Sequence, residues 1–261
     1  MSYKSITRGL TLLVLTVCFF AGCVMQACEE DDVRTAAEVE KQVPIYFVET
    51  DEKVLSISFD AAWGCEHTGR ILELLQKYDV KATFFLTDIW LDAYPDMARR
   101  IAEEGHEIAM HSVTHPHMSQ LNAEQAAQEI DGNCSKIRDV TGYNPVLFRF
   151  PFGEYDNKSI QLLRDRGYYP VQWSIDSLDW MESKTEDDII NRVTQGLHPG
   201  AIILCHNNGT YTADAIDVII PYAQKQGYRF VPVGDLLYKG DYEVTPQGMQ
   251  KKTADVQNDS E

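Results

Sequence analysis

Residues 54–86 read Val54-Leu-Ser-Ile-Ser-Phe-Asp60-Ala-Ala-Trp-Gly-Cys-Glu-His-Thr-Gly-Arg70-Ile-Leu-Glu-Leu-Leu-Gln-Lys-Tyr-Asp-Val80-Lys-Ala-Thr-Phe-Phe-Leu86, and they hold one complete strand–helix–strand unit. Positions 54–59 form an apolar strand that ends at Asp60. Positions 69–78 carry Ile71, Leu74 and Leu75 on one helical face, and 82–86 read as a second strand. The same alternation continues outward. Helices are predicted over 95–104, 122–140 (with Asn122 as cap), 157–166, 186–196 and 213–226. Strands are predicted over 107–110, 147–150, 169–174, 201–204 and 229–233. Repeated βα units imply a parallel sheet with helices outside. Seven or eight units in this length favour a closed or nearly closed barrel over an open sheet. There is no internal repeat and no low-complexity block.

The chemically active side chains fall in consistent places. Asp60, His111, Arg149, Asp176 and His206 each lie just past the C-terminal end of a predicted strand, the end at which β/α barrels do chemistry. His111-Ser-Val-Thr-His115-Pro116 places two imidazoles four residues apart, which can point the same way over one helical turn. Neutral imidazole is a good zinc ligand, and catalytic zinc sites use three protein ligands and keep one position open. A nearby carboxylate can then take a proton from water. A metal-dependent hydrolase is the sharp reading, and two histidines capping a turn is the plain one.

The chain has 261 residues and a net charge of -17. That is length for one domain with a full core, and the charge excludes nucleic acid as a partner. A neutral glycan is compatible with it. Lys4 and Arg8 precede an apolar run from Gly9 to about Ala27. The run is long for a cleaved signal, about long enough for a membrane anchor, and carries a lipoprotein-like Phe20-Ala21-Gly22-Cys23. All three readings put the domain outside the cytoplasm, with membrane contact only through this segment. Residues 1–28 are thus a targeting segment, 29–52 a polar stalk with a lead-in strand, 53–238 the domain, and 239–261 a loose polar tail. Apart from Cys18, Cys23 and Cys28 in the export segment, Cys65, Cys134 and Cys205 remain, an odd number that is not a disulfide framework. Cys134 reads as a buried residue on one face of its helix, and Cys205 lies in a strand.

With these residues in hand, the chain resembles the polysaccharide deacetylases with a NodB-homology domain, carbohydrate esterase family 4, over roughly residues 53–237. Five segments appear in the family's order: Ser58-Phe59-Asp60, His111-Ser-Val-Thr-His115-Pro116, Arg149-Phe-Pro-Phe-Gly153, Asp176-Ser-Leu-Asp179-Trp180 and Leu204-Cys205-His206. Phe59-Asp-Ala-Ala-Trp-Gly64 resembles the sporulation-type subgroup of spore-forming bacteria. The resemblance implies a distorted (β/α)7 barrel that removes N-acetyl groups from an envelope glycan, with peptidoglycan or N-acetylglucosamine oligomers as partner. It implies a divalent metal, zinc first and cobalt as an alternative, on His111 and His115. Asp60 would be the general base, oriented by Arg149. His206 would be the general acid, tuned by Asp179. The backbone N–H of Phe152 would help hold the oxyanion, and Trp180 and Leu204 would line the acetyl pocket.

One departure matters. The family's first segment has two adjacent aspartates, the second a metal ligand, and here that position is Ala61. Glu66 or His67 is expected to swing back as third ligand, with His67 preferred. Without either, the chain is a weak enzyme or a glycan-binding protein on the same barrel. Plainer readings apply elsewhere. His106 is structural, His117 lies at the rim, His198 in a turn, and Asp176 caps a loop. Cys65 has a bland role. Tyr168, Tyr169 and Trp173 belong to the core. Trp63 and Trp90 are the candidate sugar platforms.

Overall fold

The computed structural model describes residues 41–253; the expected targeting segment, its three cysteines and the stalk up to residue 40 lie outside them. The lead-in strand β1 is Phe47–Val48, followed by β2 (Val54–Ala61), α1 (Thr68–Lys77), β3 (Thr83–Leu86), α2 (Asp88–Ala93), α3 (Pro95–Glu103), β4 (Glu107–Met110) and α4 (Ala123–Thr141). Then come β5 (Leu147–Phe148), α5 (Asn157–Arg164), β6 (Tyr169–Pro170), β7 (Ile175–Asp176), α6 (Glu186–Gly196), β8 (Ile202–His206), α7 (Thr212–Lys225), β9 (Arg229–Phe230), α8 (Val233–Leu236), β10 (Tyr242–Val244) and β11 (Met249–Lys252). Helices start where capping chemistry allows. Asn122, Asp156 and Thr185 each close a reciprocal capping box.

Seven strands pair in the order β6-β5-β4-β3-β2-β8-β7, with β9 added beside β2. Every pair in this sheet is parallel. The result is the expected distorted β/α barrel. β2 is an interior strand, paired with β3, β8 and β9, and is buried along its whole length. Its pleat sorts the residues by face. Leu55, Ile57, Phe59 and Ala61 join the apolar layer beneath the helices. Ser56 and Ser58 instead give their hydroxyls to Val231 O and Ile203 O, each at 2.7 Å. Inside the barrel Phe85, Ala109, Leu147, Val171 and Ile202 pack together.

Two expectations are corrected. Of the strand predicted over 169–174 only Tyr169–Pro170 is strand, and the next one, Ile175–Asp176, begins after that range at the opposite end of the sheet order. Pro170 has no N–H for a ladder, and the chain crosses the open side of the barrel there. Gln172 N bonds to Ile45 O at 2.7 Å and Ser174 N to Ile202 O at 3.1 Å. The lead-in segment thus fills the gap.

The tail is not loose over its described part. β10 and β11 pair antiparallel, and β11 pairs with β1. Gln250 is fully buried, and its side chain exchanges two 3.0 Å hydrogen bonds with the backbone of Tyr238. The hairpin's partner lies some two hundred residues earlier, so local composition hides it.

Candidate active site

Asp60 is the penultimate residue of β2 and lies on the interior face. It is buried, and its Oδ1 accepts from Arg149 Nη1 at 2.7 Å. Arg149 is fully buried, lies 3.9 Å over the Phe85 ring and donates through Nη2 to Gln172 O at 3.0 Å. Burial by itself would raise the Asp60 carboxyl. The Arg149 guanidinium, with His111 and His206, outweighs it and holds the group below its ordinary range.

His206 closes β8 and is the register partner of Asp60 on the neighbouring strand. Its Nδ1 lies 2.7 Å from Asp179 Oδ1, and its backbone N donates to Asp179 Oδ2 at 2.8 Å. Thr212 Oγ1 donates to the same Oδ2 at 2.5 Å. Burial pushes the imidazole down, but Asp179 first, then Asp60 and Asp176, bring it above its ordinary value. Asp176 caps its own loop, accepting from Leu178 N at 2.9 Å. The two groups facing each other across β2 and β8 are therefore tuned in opposite directions, one toward staying ionised and one toward staying protonated.

The histidine loop follows β4. His111 Nδ1 lies 2.8 Å from Arg149 O, so Nδ1 carries the proton and Nε2 presents a lone pair. That Nε2 faces Asp60 Oδ2 at 3.5 Å. The His115 ring lies 4.9 Å from that of His111, and its Nδ1 is buried without a partner. Burial lowers both imidazoles, His115 to about 4, with His111 adding to the effect there. Neutral imidazoles are the form that binds metal, and two lone pairs beside a carboxylate suit a cation. The donor set nevertheless stops short of three. Among the described residues no three His, Cys, Asp or Glu side chains are arranged to hold a metal ion. The residues present fit a two-imidazole cation site and fall one ligand below a catalytic zinc set.

The expected rescue by His67 is not seen. His67 occupies the N-cap position of α1, and its carbonyl accepts from Ile71 N at 3.0 Å. The loop before it is pinned: Gly64 O accepts from Trp90 Nε1 at 2.7 Å and from Asn207 Nδ2 at 2.8 Å. Glu66 is no substitute, because its Oε2 accepts from Cys65 N at 2.9 Å. Ala61 is fully buried in the helix-side apolar layer.

Residues 47–171 match the family model described as polysaccharide deacetylase. The peptidoglycan-N-acetylmuramic acid deacetylase PdaA of Bacillus subtilis is 31% identical over 204 residues, which span 77% of this chain and 78% of that protein. The chain belongs to the polysaccharide deacetylase family. A peptidoglycan-N-acetylglucosamine deacetylase of Bacillus cereus is 34% identical over 73% of this chain and 91% of its own length. Among solved structures, a CE4 family pseudoenzyme from Bacillus anthracis superposes with a TM-score of 0.72 at 30% identity, over 81% of this chain and 70% of that one. The deacetylase family thus contains both named enzymes and a protein described as a pseudoenzyme.

In this deacetylase-family chain, backbone strain marks the site. Among the described residues five non-glycine residues have positive φ, and four of them (Ser112, His115, Phe152 and Leu178) lie in the loops that carry these groups. Phe152, expected to offer its N–H, sits at φ 58 in the turn Pro151–Gly153 with its ring 4.5 Å from His115. Trp63, Phe152 and Trp180 are all more than half exposed. The Trp63 ring is 5.0 Å from His115. Leu204 is buried on β8, two residues before His206 and so on the same face.

Trp90 is corrected: it is fully buried and ties down the Trp63 loop instead of facing a sugar. His117 stacks on Phe152 at 4.4 Å and pairs with Glu154 at 2.8 Å, a rim position as expected. His106 is buried, accepts from Ala82 N and is pushed down to about 4 by burial, a structural group. His198 bonds to Ser174 Oγ and Pro199 O. Sequence reasoning passed over Asn207, Glu129 and Asn133, all polar residues on buried or half-buried faces. A polar position on the inward stripe of an amphipathic helix is the signal that marks the last two.

Proposed function

We propose that the chain is an exported N-deacetylase of an acetylated envelope glycan, peptidoglycan first, joined to the membrane only through its N-terminal segment. The observation that carries this reading is the pair Asp60 and His206, register partners whose proton affinities are pushed apart. Amide hydrolysis needs a base for the attacking water and an acid for a poor leaving amine, and a glycan-binding surface needs neither.

Asp60 Oδ2 takes the proton from water while Arg149 fixes Oδ1. His206, its Nδ1 held by Asp179, delivers a proton from Nε2 to the departing sugar nitrogen, leaving acetate and a free amine. The Phe152 N–H faces the developing oxyanion. Leu204 and Trp180 enclose the acetyl methyl. A divalent ion held by His111 and His115, zinc first and cobalt as the alternative, supplies Lewis acidity when bound. The test is acetate release from peptidoglycan and N-acetylglucosamine oligomers, with zinc or cobalt added. Unchanged release from Asp60→Asn would sink the reading.

A second reading has its own observation: Ala61 and, among the described residues, no third donor beside the two histidines. It makes the chain a glycan-binding protein that kept the barrel and lost turnover. Saturable binding of the same oligomers, with no acetate under either metal, would select it.

A further inference from the structure

We propose that Glu129, on α4, is a positioning residue that holds the loop carrying His111 and His115. The inference deepens the proposed function by naming what aims its two imidazoles.

Two backbone bonds hold the start of the loop, His111 N to Leu86 O and Asp88 N to Ser112 O, each at 3.2 Å; from Val113 to His115 the backbone N–H groups bond to side chains. Glu129 Oε2 accepts from Val113 N at 2.9 Å and from Thr114 N at 2.8 Å, and Oε1 accepts from Thr114 Oγ1 at 2.7 Å. One helical turn on, the fully buried Asn133 accepts through Oδ1 from His111 N at 2.9 Å. Its Nδ2 is fixed by Asp88 Oδ1 at 2.7 Å and Leu86 O at 3.1 Å. Positions i and i+4 share one helix face, so a single rigid face grips both ends of the loop.

Gly132 lies between them. A Cβ there would come within 2.9 Å of Val113 Cγ2, so its absence lets the loop settle against the helix. Inside the loop Ser112 and His115 hold φ of 76 and 56, a conformation that persists only when its surroundings over-determine it. His115 N is bonded to Ser112 Oγ at 3.0 Å, which links the strained pair to each other and not to α4. The three bonds to Glu129 are then what prevents the loop from relaxing and turning His115 away from His111.

The test compares the full chain in chelator with Glu129→Ala, Glu129→Gln and, as a control on the exposed first turn of α4, Glu124→Ala. The readout is the imidazole NMR resonances of each histidine, with amide exchange at Val113 and Thr114. Glu129→Ala is expected to shift or broaden the His111 and His115 rings and speed those two amides by roughly tenfold or more, with His106 and His198 unmoved. Glu129→Gln retains an oxygen acceptor and restores the wild-type spectrum, while Glu124→Ala changes nothing. Unaltered His115 signals in Glu129→Ala overturn the proposal. Equal disturbance of all four rings also overturns it, since that is a general loss of structure. With zinc added, Glu129→Ala binds roughly 10- to 100-fold more weakly than wild type. If the wild type binds no zinc, the metal clause of the proposed function falls, and the ring spectra still decide this one.

Discussion

The two halves of the site differ in completeness. On the β2–β8 side, Asp60 has Arg149 and His206 has Asp179, each pair buried or half-buried and bonded at 2.7 Å. On the β4 side, His111 and His115 offer nitrogen donors, and among the described residues no third side chain completes the set. Proton transfer needs two tuned groups on neighbouring strands, and register delivers that directly. A three-ligand cation site needs groups from several loops to meet at one point, and the alanine at position 61 offers no donor. The difference teaches that the acid–base chemistry and the cation chemistry of this barrel can be gained or lost separately.

The largest expected effect attacks the complete half. Asp60→Asn should reduce acetate release roughly 10²- to 10⁴-fold. It should also destabilise the fold by about 3–5 kcal/mol, because Arg149 is left buried without its counter-charge; chemical denaturation reads the second effect independently of the first. A variant that loses rate with unchanged stability would mean that the buried pair is not formed in solution.

Next comes Ala61→Asp, aimed at the incomplete half. Zinc affinity by calorimetry is expected to rise at least roughly tenfold, the lower end of what a coordination-sphere change achieves. The added carboxylate lies in apolar surroundings, so the thermal midpoint should fall in chelator and recover with zinc. Recovery is the decisive observation. Its absence would show that position 61, on the pleat face opposite Asp60, cannot reach the histidines.

A smaller effect concerns pH. Asp60 must be ionised and His206 protonated, so the active window lies between them. The acid limb of the rate profile should have its midpoint below the ordinary 3.8 of an aspartate. The alkaline limb should lie above the ordinary 6.5 of a histidine. Asp179→Asn removes the main group raising His206, and the alkaline limb should then move to lower pH with the acid limb in place. A profile that does not shift would take the general-acid role away from His206.

The smallest effect is expected from His67→Ala. Zinc affinity and rate should match the wild type, and stability should stay within about 0.5 kcal/mol, as for most surface changes. Weaker zinc binding in this variant would mean that the Gly64–His67 loop leaves the position in which Trp90 and Asn207 hold it.

Much of this is legible in the sequence. The period of Leu55, Ile57 and Phe59 marked β2 as a strand, and the spacing of Ile71, Leu74 and Leu75 marked α1 as a helix. Asp60 and His206 could be singled out because each ends a strand. Trp90 was misjudged because it lies just after a strand, and sequence cannot tell a segment that faces solvent from one tied inward by a single indole hydrogen bond. Glu129 was missed because two of its three bonds go to the backbone N–H groups of Val113 and Thr114, which residue identity does not encode, and only its polar place beside the helix's inward stripe hinted at it. The β10–β11 hairpin was missed because its surface is polar and its partner strand is distant.

By itself the sequence determined the order of strands and helices, which polar groups stand at the strand ends, and that position 61 carries no ligand. These follow from local periodicity and covalent order. Only the tertiary structure decided that the lead-in strand fills the barrel's gap, that Asp60 and His206 face each other with opposed proton affinities, and that neither Glu66 nor His67 joins the histidines. Those depend on burial, register and hydrogen bonds between residues far apart in the chain, where a difference of a few ångströms decides which charge is stabilised.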